Sequence, residues 1–107
     1  MKVFFDHGTP APLQAILEGH SVRQAKAESR DTLGNGELLA AAKAAGFKLL
    51  ITTDKNIRYQ QNLTRRRIAI LVLGNPQWPV LRLHVERVVA AVQAAGPGSF
   101  VEVTIPE

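Results

Sequence analysis

Cysteine is absent from this 107-residue chain, which excludes disulfides, iron–sulfur clusters and thiolate zinc sites. Histidine occurs only three times, scattered at positions 7, 20 and 84, so a His-rich metal site is excluded as well. Oxygen ligands remain, and they favour hard cations such as Mg²⁺ or Mn²⁺. Long apolar runs are also lacking. None approaches the roughly 18–20 residues that span a bilayer, and a strand-like "KVFF" stands directly after Met1, with no basic-then-apolar leader. The expectation is a cytoplasmic chain without a membrane partner. Internal repeats, low-complexity tracts and linkers are missing too, so the reading is one domain over residues 1–107, large enough to bury a real core.

What is present is an ordinary globular balance, 46% apolar and 21% charged, with a net charge of +4 that mildly favours a polyanionic partner. Lys2 to Phe5 reads as a buried strand ending at Asp6, and "HGTPAP" as a turn with Pro12 suited to a first helical turn. Leu13, Ile16 and Leu17 follow at helical spacing, with Gly19 as a stop. "HSVRQA" is a short second strand and "ESRDTLGNG" a loop. In "NGELLAAAKAAG" Asn35 caps a strongly helical segment that Gly46 closes. "FKLLITT" is the third strand, "DKNIRYQQNL" a helix and "RRIAILVLG" the most hydrophobic strand. After the turn "NPQWP", the segment "VLRLHVERVVAAVQAAG" predicts one amphipathic helix with Val80, Leu83, Val88 and Val92 among its apolar positions. "SFVEVTI" alternates and reads as a final edge strand.

Strands separated by helices imply crossovers and a mainly parallel sheet covered on both faces, an α/β fold in three α/β/α layers. In such sheets ligands bind at the carboxyl ends of the strands. Asp6 and Asp54 both fall at predicted carboxyl ends, and Glu37 opens the helix that runs into the Asp54 strand. If the first and third strands are neighbours, these acids share one rim. Ionised carboxylates brought that close need a cation between them or a shared proton, and Mg²⁺ or Mn²⁺ suits such an oxygen-rich cluster. Each acid also has a purely structural role open to it. Glu37 can complement the helix dipole, Asp54 can cap a helix, and Asp6 can close an Asx-turn.

Three stretches, "VFFDHGTPAPL", "NGELLAAAKAAGFKLLITTDKNI" and "RRIAILVLG", together resemble the small PIN-like proteins in order and spacing from Lys2 to Leu73. Those proteins carry an aspartate after the first strand, an acid-bearing helix, and a "T-T-D" element after the next strand. The resemblance implies a PIN-like α/β/α sandwich, metal-dependent cleavage of RNA, and a place among toxins held inactive by an antitoxin protein. Asp6 matches the first-strand acid and Asp54 the acid of "T-T-D". The family's helix acid falls on Asn35, with Glu37 two residues later, and Asn56 is a neutral candidate ligand where some relatives have an acid. The segment from Leu13 to Asp31 is too short for the added helix on which larger relatives carry a further glutamate, and no position is assigned to that residue.

The candidate catalytic and metal-binding residues are therefore Asp6, Glu37 and Asp54, with Asn56 as a further ligand. His7, Asn35, Thr53, Arg58 and Tyr59 are the candidates for RNA contact. In "RYQQN" a cation, an aromatic ring and amides offer phosphate, stacking and hydrogen-bond partners, although the same run also suits a solvated helix face. His7 can act as a ligand or general acid–base, or cap the local backbone. Arg65, Arg66 and Arg67 precede a strand and so belong at the opposite end of the sheet, while the outer face of the long helix near His84 could serve a homodimer. The leading expectation is a Mg²⁺- or Mn²⁺-dependent ribonuclease. The alternative is a PIN-like module that binds nucleic acid or a partner protein without catalysis.

Overall fold

A computed structural model describes residues 2–6, 9–17, 19–24, 45–53 and 68–106. Five strands make one sheet in the order β2-β1-β3-β4-β5. They are β1 (Lys2–Phe5), β2 (Ser21–Gln24), β3 (Leu49–Thr52), β4 (Ala69–Leu73) and β5 (Phe100–Val103). Every neighbouring pair is parallel. The fold is thus α/β with a parallel sheet, as the alternation of strands and helices requires. β3 and β4 are buried at every position, which is why they read as continuous apolar runs without a polar face. β2 and β5 form the two edges and carry exposed residues.

On one face lie Val3, Phe5, Leu49, Ile51, Leu71, Leu73 and Val103, packed with Leu13, Leu81, Val88 and Val92 from helices. The short α1 (Leu13–Ile16) follows Pro12, whose φ of −59° already suits a helix. Gly19 then ends the turn at a φ of +86°, a left-handed conformation that costs glycine little. The second face carries Phe4, Leu50, Ile70 and Val72, joined by Phe47 and Ile68. Phe4 meets Phe47 edge-to-face at 4.9 Å, and the Lys2 ammonium lies 4.6 Å from the Phe47 ring centre. Of the helices expected over 36–46 and 54–63, residues 36–44 and the whole of the second lie outside the described residues.

The long helix differs from its sequence reading in two respects. It starts at Trp78, inside the expected turn, as α2 (Trp78–Leu81). Pro79 sits in that first turn, where an amide N–H would have no partner to lose. A 3-10 turn at Arg82–His84 then links α2 to α3 (Val85–Ala94). At 100° per residue Leu81, Val88 and Val92 share one stripe and Leu83 falls on the opposite side. Leu81, Val88 and Val92 are buried, whereas Leu83, expected in the core, is 70% exposed.

Candidate functional site

β1 stands between β2 and β3, so the chain steps to one side of β1 and then returns to the other. In doubly wound sheets ligands are taken at such a reversal, here the carboxyl ends of β1 and β3. Asp6 is the first residue beyond β1. Its N–H donates to the Ile51 carbonyl at 3.0 Å, which carries the β1–β3 ladder one step past Phe5↔Ile51. Side chains alternate along a strand, so Asp6 falls on the face of Phe4 and stands beside Thr52.

The two side chains meet. The Thr52 hydroxyl donates to Asp6 Oδ2, and both residues are buried, with Asp6 only 5% and Thr52 0% exposed. A carboxylate kept from water needs such partners, because an uncompensated one costs several kcal/mol. Thr9 anchors the chain that leaves Asp6. Its N–H donates to the Asp6 carbonyl at 3.1 Å, and its buried hydroxyl donates to the Ile51 carbonyl at 2.9 Å. β1, β3 and the segment after Asp6 are thereby fixed to one another at the rim. The result is a buried, oriented carboxylate at the carboxyl end of β1.

Of the sequence-derived candidates, Asp6 and Thr53 lie within the described residues, and both belong to this rim. Thr53 is half-buried and directly precedes Asp54. Asp54, Glu37, Asn56, His7, Asn35, Arg58 and Tyr59 lie outside the described residues, as do Arg65, Arg66 and Arg67. Of the threonine pair, Thr52 rather than Thr53 holds the aspartate. Strand alternation carries that distinction, but reading it requires knowing that β1 and β3 pair with Phe5 opposite Ile51.

Comparison with known proteins gives no identification. No family model, curated protein or solved structure matches this chain.

The same register continues across the sheet. Thr52 pairs with Val72 and Val72 with Glu102, so Asp6, Thr52, Val72 and Glu102 form one row on one face. Glu102 is exposed on edge strand β5, and sequence reading assigned it no role. Among the described residues, no three His, Asp or Glu side chains gather closely enough to hold a metal ion. The donors available at the rim are oxygen atoms of a carboxylate and hydroxyls, a set that fits a hard divalent cation and not a soft one. No described helix is long and apolar enough to cross a membrane.

Proposed function

We propose that this chain is a Mg²⁺- or Mn²⁺-dependent ribonuclease of PIN-like, three-layered type, cytoplasmic and open to control by an antitoxin protein. The observation that carries the reading is the buried Asp6 carboxylate at the carboxyl end of β1, adjoining the strand that leads into "T-T-D". A carboxylate held at a ligand-binding rim by a threonine, one strand from a second aspartate in sequence, is the donor set such chemistry needs.

Asp6 and Asp54 would hold the cation, with Glu37 and Asn56 as further oxygen donors. When bound, a cation of this kind supplies an activated water and offsets charge that builds on the phosphate. Thr52 acts as a positioning residue, fixing the Asp6 carboxyl rotamer through its hydroxyl. Thr9 is tied to β3 through the Ile51 carbonyl. Polar groups preset in this way need no reorganisation during reaction.

The test is RNA cleavage in Mn²⁺ by the wild type, Asp6→Asn and Asp54→Asn, each checked for folding by circular dichroism. Cleavage by the wild type and its loss in both folded variants support the proposal. Cleavage that persists in both variants sinks it, as does a wild type that neither cleaves RNA nor responds to millimolar Mn²⁺ in a thermal melt.

A further inference from the structure

An open pocket of about 280 Å³ lies farther along the same rim, lined among the described residues by Val72, Gly74, Glu102, Val103, Thr104 and Ile105. Its place follows from the packing of β4 on β5. The Gly74 N–H donates to the Val103 carbonyl at 2.9 Å and extends the ladder beyond both strands. A Cβ on Gly74 would lie 2.8 Å from that carbonyl oxygen, so only glycine lets the two backbones approach here. Val103 and Ile105 commit their side chains to the first core cluster. Among the described lining residues, Glu102 and Thr104 supply the polar side chains.

Position and chemistry decide what this pocket can take. Glu102 ends the row that begins at Asp6 and continues through Thr52 and Val72, three strand spacings or roughly 14 Å away. A short stretch of single-stranded RNA covers that distance. The volume stands at the lower limit of small-ligand pockets, which begin near about 300 Å³, and suits one base. An ionised glutamate only accepts hydrogen bonds. The Glu102 carboxylate makes no hydrogen bond or ion pair with the described residues, so its acceptors are available to a ligand.

We propose that this pocket receives a guanine base of an RNA strand, with the Glu102 carboxylate accepting from the guanine N1–H and N2 amino group. Guanine alone among the four bases presents two adjacent donors on its Watson–Crick edge. Adenine and cytosine set a donor beside an acceptor, and uracil flanks its one donor with acceptors. Unstacked bases in single strands are read on that edge. The Thr104 hydroxyl adds a partner that can donate or accept. The ribonuclease reading supplies the nature of the ligand, while base selection itself requires no catalysis.

Fluorescence anisotropy in EDTA tests the inference, using short oligouridylates with a central guanosine, inosine or adenosine. The wild type is expected to bind the guanosine strand roughly five- to tenfold more tightly than the adenosine strand, the scale of a partly exposed bidentate contact. Inosine, which lacks the N2 amino group, should fall between them. Glu102→Gln should lose or invert the order, since an amide pairs with adenine's donor and acceptor. Glu102 is exposed, so a thermal melt should show this variant folded. Equal affinity for all three strands, no binding, or an unchanged order in the variant overturns the proposal. A guanosine preference without cleavage would leave the pocket standing and remove the nuclease reading. Cleavage without any base preference would do the reverse.

Discussion

Replacing Thr52 with valine tests the joint that holds the candidate site. Valine keeps the volume and β-branching of threonine, so the strand is preserved and only the hydroxyl is lost. That hydroxyl is fully buried and donates to a carboxylate that is 5% exposed. A hydrogen bond to a charged group contributes about 1.5–3 kcal/mol net, and the incoming methyl recovers roughly 0.8 kcal/mol through burial. The expected destabilisation is roughly 1–2 kcal/mol, or about 5–10 °C in Tm for a domain of this size. Urea and thermal unfolding of the wild type, Thr52→Val, Asp6→Asn and the double variant would measure it. In the asparagine background the acceptor is neutral and its bond is worth only about 0.5–1.5 kcal/mol. Thr52→Val should therefore cost less there, with a coupling energy of roughly 1 kcal/mol. Equal cost in both backgrounds, to within about 0.3 kcal/mol, would refute the pairing.

Other expectations follow from the packing. Gly74→Ala places a methyl against the Val103 carbonyl and 3.3 Å from the Ile105 nitrogen, both backbone atoms. It should cost about 1–3 kcal/mol in urea unfolding, and a neutral result would contradict the close approach of β4 and β5. Leu81→Ala should cost about 2–5 kcal/mol and Leu83→Ser less than about 0.5 kcal/mol, because Leu81 is fully buried and Leu83, inside the 3-10 turn, is exposed. Similar losses for the two would contradict that difference in burial. Phe47→Ala, which removes the ring between Phe4 and Lys2, should lower stability by about 3–5 kcal/mol on chemical unfolding.

The strands were legible because "VFF", "LLI" and "AILVL" are short, apolar without interruption and rich in β-branched or aromatic residues, the pattern of a sheet buried on both faces. Parallel pairing then puts every carboxyl end on one rim, so Asp6 could be located from its distance to the strand before it. The order of the three inner strands could not be read, since their apolar runs are chemically alike, whereas the alternation of "SFVEVTI" marked β5 as an edge. The adjacency of β1 and β3 entered as a condition, and the structure meets it. Thr52 as the partner of Asp6 depended on that register. Glu102 sits in an alternating edge strand, and its relation to Asp6 passes through two intervening strands. The helix start at Trp78 was hidden because the prolines at 76 and 79 mark a turn as readily as a first helical turn.

The account depends most on aspartates from separate strands meeting around one divalent ion. A crystal grown in MnCl₂ and measured for anomalous scattering addresses that directly. The account predicts a manganese peak within coordinating distance of carboxylate oxygens from both Asp6 and Asp54. A well-ordered rim with no peak at saturating Mn²⁺, or a peak held by residues other than these, would contradict it.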